Sequence, residues 1–559
     1  MKMIRSALLL SFSLLVTCSA FSEENPNTKL AITPAPAKLE MGEGSFTLTG
    51  GTSISSDSPD LAPVVKYLKE NVLPDAKEQD GGAIFISLKD ADGNLGDEGY
   101  QLDVAPEKIT IKALKPAGAF YGVQTLRQLL PADVTTVTGL QKYQIPSLKI
   151  WDKPRFPVRG FMLDSGRHIQ SVEFIKRTLD RLAYHKINTF HWHLTEDQGW
   201  RIEIKKYPRL KEFGAWRDSN EKNAQGQWKD GKYGGFFTQD QIRDIVKYAA
   251  DRYINIVPEL DMPGHTTAAV ASYPWLTCFP RNDFKVRSQW GISDDVLCPG
   301  KETTFEFVQN VLLEVMDLFP GKVIHLGGDE CPRTRWKTCP DCQARIKSEG
   351  LKNEDGLQNY FTRRMMKFLE DHGRRMQGWN EIMKGGKLPP EVIVHQWNDS
   401  SVAVAAAKDG NDVVDSFTTY CYFDYDYRTT PLEKVYKFDP MPAGLTPEQA
   451  KHILGGQANL WTEWKPTELS DDQFTWPRMI AMAEVLWSPT EGRSYEEFMS
   501  RMEAKHYDRL ANLGLGAKGT PKDDIKNDLE NPGGGDLGRT VANWKPSEMS
   551  EQFKPIEWD

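Results

Sequence analysis

A chain of 559 residues, 39% hydrophobic and with sixteen tryptophans, holds enough apolar material for one large core and a smaller one, so two or three domains are expected. A formal net charge of -9 and a pI near 5.7 leave no broad cationic field to attract phosphates, which excludes a nucleic-acid partner. A small neutral ligand suits the composition better.

The N-terminus carries Lys2 and Arg5, an apolar stretch over 7–16, and Cys18-Ser19-Ala20, the layout of a secretory signal cleaved after Ala20. A lipid anchor on Cys18 is the rival reading, disfavoured by Thr17 directly before it. An exported protein, periplasmic or extracellular, is therefore expected. No later window is apolar for long enough to span a bilayer.

Over 29–153, short alternating runs such as 84–88 and 109–113 are separated by Gly, Asp and Pro, and 119–130 has the pattern of an amphipathic helix. This is the pattern of a small α+β domain, and no acid, histidine and cysteine cluster within it. From 156 to 513 the rhythm changes to apolar strands alternating with longer helices. Strands are expected at 158–163, 189–194, 254–259, 323–326, 375–379, 392–397, 412–416 and 453–461, with helices including 172–184 and 303–318. Eight such units imply an α/β fold, a (β/α)8 TIM barrel. From 514 to 559 the chain is polar and glycine-rich, and a peripheral tail is expected there.

In a barrel of this kind the chemistry gathers at the carboxyl ends of the strands. Polar and aromatic residues collect where those ends fall: Asp164 and Arg167; His191, His193, Glu196 and Asp197; Glu259, Asp261 and His265; Asp329 and Glu330; Trp379 and Glu381; Trp397; Tyr422 and Asp424; Trp461 and Glu463. The run His325-Leu326-Gly327-Gly328-Asp329-Glu330 is the most telling, because its glycines allow a turn tight enough for two adjacent carboxylates to line one pocket.

Acids and tryptophans without a Gly-x-Ser-x-Gly turn or a dinucleotide loop point to carbohydrate, whose C–H faces stack on indoles and whose hydroxyls bond carboxylates. Glycosidic cleavage needs a proton donor and something to attack the anomeric carbon. Neighbouring residues cannot reach both faces of one sugar, so the pair Asp329 and Glu330 implies that a 2-acetamido group on the substrate supplies the nucleophilic oxygen.

Four blocks, 159–168 (RGFMLDSGRH), 191–201 (HWHLTEDQGWR), 258–265 (PELDMPGH) and the Gly-Gly-Asp-Glu segment, closely resemble glycoside hydrolase family 20, the exo-acting β-N-acetylhexosaminidases. The resemblance runs from about 32 to 513. It implies retaining hydrolysis of terminal β-linked N-acetylhexosamine, with Glu330 as general acid and base, Asp329 orienting the acetamido nitrogen and Tyr422 bonding its oxygen. It further implies that Arg167, Asp424 and Glu463 hold ring hydroxyls and that Trp379, Trp397 and Trp461 enclose the acetamido methyl and underlie the ring. A relay of Asp197, His265 and Glu330 is also implied; Glu196 stands where the family often has Asp. No cofactor or metal is implied.

Three rivals stand beside this reading. A family 20 enzyme releasing a disaccharide would differ in loops such as 216–237, and Asp424 and Glu463 favour a terminal monosaccharide. A non-catalytic sugar-binding relative predicts a replaced proton donor, yet Glu330 is present. Metal-assisted hydrolysis would need His191, His193 and Asp261 to converge, although the two histidines lie in a strand rather than at helical zinc spacing. Six cysteines follow the signal, and loop-bracing disulfides are expected, with Cys278 pairing Cys298. Zinc on Cys331, Cys339 and Cys342 would lack a fourth ligand within that cluster.

Overall fold

A computed structural model describes residues 26–219 and 231–515. The signal segment with Cys18, part of the loop expected to discriminate disaccharide release, and the tail beyond Leu515 lie outside the described residues.

The first unit is a six-stranded sheet in the order Lys38–Thr49, Lys142–Asp152, Tyr100–Ala105, Lys108–Ala113, Ile84–Ser87, Ile54–Ser56. Alternation sets its faces: in Lys108–Ala113 the residues Ile109, Ile111 and Ala113 are buried while those between them are not. The helix Pro116–Gln128 starts on proline, whose missing N–H costs nothing in a first turn, and covers the inner face with Phe120, Val123 and Leu126. It lies so close that a Cβ on Gly122 would stand 2.6 Å from Ile111 Cγ2.

Eight parallel strands then close a barrel: Val158–Asp164, Thr189–Glu196, Asn255–Leu260, Val323–His325, Arg375–Trp379, Ile393–Gln396, Asp412–Asp415 and Ile453–Leu460, the last pairing with the first. Each falls on a segment marked by its apolar run. The helix Val172–Tyr184 begins at Ser171, whose side chain accepts the Phe174 N–H, and the helix Glu302–Leu318 buries Phe305, Val308, Val311, Leu312 and Val315 along one stripe.

The two units are joined through buried charge. Lys186 Nζ lies 2.9 Å from Asp152, with both side chains fully buried, and Asp152 also accepts from Trp487 Nε1 at 2.9 Å and from Tyr100 Oη at 2.7 Å. Arg159 pairs with Glu98 at 2.7 Å nearby. Such a pair offsets its desolvation only when further hydrogen bonds complete both ions, as they do here.

The barrel interior departs from the usual layers of branched aliphatics. His191, His193, His325, His395, Glu259, Gln377, Gln457 and Asn459 are all buried. They are linked: Gln457 Nε2 lies 3.0 Å from His191 Nδ1, His395 lies 3.2 Å from His325 and 2.5 Å from Ser416 Oγ, and Glu259 meets His191, His193 and His325 at 2.9, 2.6 and 3.0 Å. His191 and His193 thus pack beneath the pocket, and Asp261 is drawn elsewhere, accepting the Gly328 N–H at 3.1 Å.

One expectation is corrected. Cys278 and Cys298 are not joined, and all six cysteines among the described residues are buried free thiols. The reason is a tertiary one: Cys339 and Cys342 are brought up against the same two sulfurs, so that Cys298 has three thiol neighbours instead of one partner.

Candidate active site

The turn after the fourth barrel strand places the two acids. Gly327 and Gly328 take φ of +62° and +102°, and a Cβ on Gly327 would stand 1.8 Å from Asp261 Oδ1, so no other residue fits there. The Gly328 N–H donates to Asp261, and Glu330 itself is left-handed at φ +43°. His265, on the loop after the third strand, is left-handed too, at +51°. Strain of this kind, of order 1–3 kcal/mol per residue, persists where surrounding structure enforces it and collects at functional sites.

His265 Nε2 faces both acids, 3.6 Å from Glu330 and 3.8 Å from Asp329. Its other nitrogen, Nδ1, is 2.7 Å from Glu196 Oε1 and 3.8 Å from Asp197. The acid partner of the histidine is therefore Glu196 and not Asp197. Asp197 spends Oδ1 on the Thr267 N–H and hydroxyl, at 2.9 and 2.6 Å, and so fixes the segment just after His265. The line continues downward, since Glu196 Oε2 meets His193 Nε2 at 3.2 Å and His193 Nδ1 meets Glu259 at 2.6 Å. A buried row of alternating acids and imidazoles thus ends at Glu330.

Electrostatics divides the two carboxyls. Burial, opposed by His265 and reinforced by Glu381 and Glu259, pushes Asp329 up to about 7, and its Oδ1 is buried without a partner. Glu330, more open to solvent, is lowered by the neighbouring His265 ring, 3.6 Å away, against partial burial. His265 is held well above its ordinary value: desolvation works against its charge, but the charge of Glu196 and its 2.7 Å hydrogen bond, with the Glu330 carboxylate close by, outweigh it. The resting site thus carries an imidazolium beside the Glu330 carboxylate.

Around these groups stand the remaining residues. Tyr422 stacks with Trp397, centroids 6.0 Å apart, and lies 6.3 Å from Trp461; Trp379 lies 5.9 Å from Trp461. Trp397 and Trp461 are half-buried, whereas Trp379 is 1% exposed, stacked on His395 at 4.2 Å and bonded through Nε1 to Glu259 at 2.8 Å. It backs the aromatic wall from below. Arg167 lies over the Trp461 ring at 5.0 Å, with Glu196 at 3.3 Å, Asp164 at 3.4 Å and Glu463 at 3.7 Å. Burial, with the Glu463 charge, pushes Asp424 up to about 7, and its Oδ1 is buried and unpartnered.

The side chains expected to act on or hold the sugar thus gather at one mouth of the barrel, with Trp379 behind the aromatic wall and His191, His193 and Glu259 beneath the pocket. Two positioning residues were not singled out as site residues. Glu196 holds His265, and Glu381 accepts from Trp397 Nε1 at 3.0 Å and Asn398 at 3.3 Å. Glu381 was legible as a polar strand end; its role came into view only with the partner strand.

The arrangement is matched in known proteins. A family model for the catalytic domain of glycosyl hydrolase family 20 matches residues 156–490, and one for domain 2 of that family matches 29–153. The chain is 42% identical over 494 residues to a beta-hexosaminidase of Porphyromonas gingivalis, covering 84% of this chain and 62% of that protein, so it spans about three fifths of the relative's length. A beta-hexosaminidase of Vibrio furnissii is 36% identical over 81% of this chain and 76% of its own. Among solved structures, the beta-N-acetylhexosaminidase from Bacteroides fragilis superimposes with a TM-score of 0.76 at 34% identity, covering 88% of this chain and 98% of that one. With acids, relay histidine and aromatic wall in one cleft and the family models spanning both units, the chain belongs to glycosyl hydrolase family 20.

Proposed function

We propose that the chain hydrolyses terminal, non-reducing β-linked N-acetylhexosamine residues, releasing the monosaccharide with retained anomeric configuration. The observation that carries this reading is the placement of Asp329 and Glu330 on adjacent positions of one turn, both facing His265 Nε2. The attacking atom is then the substrate's own acetamido oxygen. Asp329 accepts the acetamido N–H, Tyr422 Oη donates to the acetamido oxygen, and the wall of Trp397 and Trp461 receives the methyl and the ring face.

In the first step the acetamido oxygen forms a bond to C1 as the glycosidic C1–O bond breaks, and Glu330 gives its proton to the departing oxygen. The positive charge of the resulting oxazolinium falls beside Asp329, whose costly buried anion is thereby paired. In the second step Glu330 takes a proton from water as that water's oxygen bonds to C1 and the ring of the intermediate opens. A sugar covering Glu330 removes its solvent and raises its proton affinity, so the proton resting on His265 can be handed to the acid that needs it. The neutral sugar suits this site because the unpartnered oxygen of Asp424, with Glu463 and Arg167, awaits hydroxyl donors and acceptors; these grips favour a terminal monosaccharide over a disaccharide.

Product analysis on β-linked acetamido oligosaccharides, with anomeric detection of the first product, tests the reading. Stepwise release of β-N-acetylhexosamine is expected; an inverted product, or equal turnover of a hexoside with a plain hydroxyl at carbon two, would sink it. We further propose that the chain is exported, a reading supported by the basic and apolar pattern of its first twenty residues. Amino-terminal sequencing of the protein from a periplasmic fraction should begin at Phe21, whereas an acylated Cys18 would point to a lipid anchor.

A further inference from the structure

We propose that Cys278, Cys298, Cys339 and Cys342 form a tetrathiolate site for a single zinc ion, which clamps the loops following the third and fourth barrel strands. The four sulfurs all lie within 4.8 Å of one another, and all four residues are buried. Cys298 Sγ is 3.7 Å from Cys339 Sγ and 3.5 Å from Cys342 Sγ, and Cys278 Sγ is 3.7 Å from Cys342 Sγ. Zinc–thiolate bonds of about 2.3 Å in a tetrahedron place the sulfurs about 3.8 Å apart, close to the spacing found. Two disulfides would make two short separations and four long ones. Here Cys298 and Cys342 each have more than one near neighbour, the pattern of corners around a centre.

The backbone is built for the purpose. Cys339 is the N-cap of the helix Pro340–Ser348 and Cys342 lies in its first turn, where the positive end of the helix favours thiolates. The Cys298-Pro299-Gly300 turn is pressed against that start: a Cβ on Gly300 would stand 2.3 Å from the Asp341 carbonyl carbon and 2.4 Å from Cys342 N. Cations flank the cluster, with Lys301 Nζ 2.7 Å from Thr277 O and Arg345 Nη2 3.4 Å from Gly300 O, which suits a centre whose four thiolates exceed the charge of a divalent ion. Val296, Trp336 and Leu357 seal it from water.

The position gives the site a purpose. The Leu297 N–H donates to Pro263 O, at 3.0 Å, two residues before His265, and Trp336 Nε1 donates to Leu297 O at 3.0 Å. Cys331 directly follows Glu330, and Gly264 packs on its Cα. One ion would thus fasten together the two loops that carry the histidine and both acids. Cys339 and Cys342 have the close spacing of metal ligands, but Cys298 and Cys278 lie 41 and 61 positions before Cys339, so local spacing could not announce the full set.

The full-length protein, purified without added metal or reductant, is analysed for metal by mass spectrometry. One zinc per chain is expected. The double variant Cys339→Ser/Cys342→Ser should lose it; since that variant can fail to fold, the wild-type chain is also denatured with a chelator and alkylated. All four cluster cysteines should then be modified, and exchange of the zinc for cobalt should give the intense near-ultraviolet band of thiolate-to-cobalt charge transfer. Cluster cysteines that resist alkylation because they are joined as disulfides, or a folded, active and metal-free protein, would overturn the proposal.

Discussion

At the scale of single residues, Glu196 is the most instructive. Glu196 and Asp197 are adjacent acids at a strand end, and the sequence offers no rule for which one turns toward His265. Alternation puts His191, His193 and Thr195 on one face, but the chain then folds back, pairing Glu196 with Gly199, and strand periodicity lapses where the choice is made. The extra methylene of Glu196 lets its carboxylate reach both His193 and His265. Glu196→Gln should lower kcat about 10- to 100-fold and move the alkaline limb of the pH profile to lower pH, because His265 loses the anion that keeps it protonated. Asp197→Asn should leave that limb in place; equal displacement by both would remove Glu196 from the relay. Glu330→Gln should cost about 10²–10⁴ in kcat, with ligand binding retained.

Asp329 yields a second residue-level expectation, in stability. Its folded value of about 7 exceeds the unfolded 3.8, so the carboxyl costs the fold nothing at the acid end, and the cost grows as pH rises from about 4 to 7 and is complete above that. Asp329→Asn should therefore raise the melting temperature at pH 8, by about 1–4 kcal/mol of stability, and leave it nearly level near pH 4. The same change should impair acetamido substrates severely. A variant no more stable than wild type at pH 8 would mean that Asp329 is already paired.

Elements were more legible than contacts. Each barrel strand is an apolar run bounded by turn residues, and the helix Glu302–Leu318 repeats its apolar positions at three and four residues, so both periods could be read directly. What could not be read is which loops meet: the sulfur cluster joins four residues from segments on two strand–helix loops, and the expected Cys278–Cys298 bridge followed from counting cysteines without knowing that a third and fourth would arrive. The glycine turn was readable because its demand is local. Gly327→Ala should destabilise the protein by about 1–3 kcal/mol and lower kcat by far more than its effect on substrate affinity, since Asp261 and both acids would be pushed apart. Unchanged kinetics would show that the turn can re-form around a methyl group.

For the molecule as a whole, the join between sheet unit and barrel is the feature to test. Asp152 compensates Lys186 and is itself bonded by Trp487 and Tyr100, all out of contact with water. Asp152→Ala leaves a buried ammonium bonded to Tyr100 Oη but without its counter-ion, a loss of about 3–5 kcal/mol. Chemical denaturation of this variant should separate into two transitions, the sheet unit melting before the barrel; a single transition at the original midpoint would show that this ion pair does not hold the units together.

The hydrogen-bonded histidines along the barrel axis carry one more implication. Trp379 hangs from Glu259 and rests on His395, so the aromatic wall above inherits its alignment from donors and acceptors far from any sugar. Engineers seeking heat resistance by greasing this interior with leucine one position at a time would orphan a proton or a lone pair at every step, and the wall would drift before the barrel failed. Only an exchange of the whole set together would leave nothing unmatched.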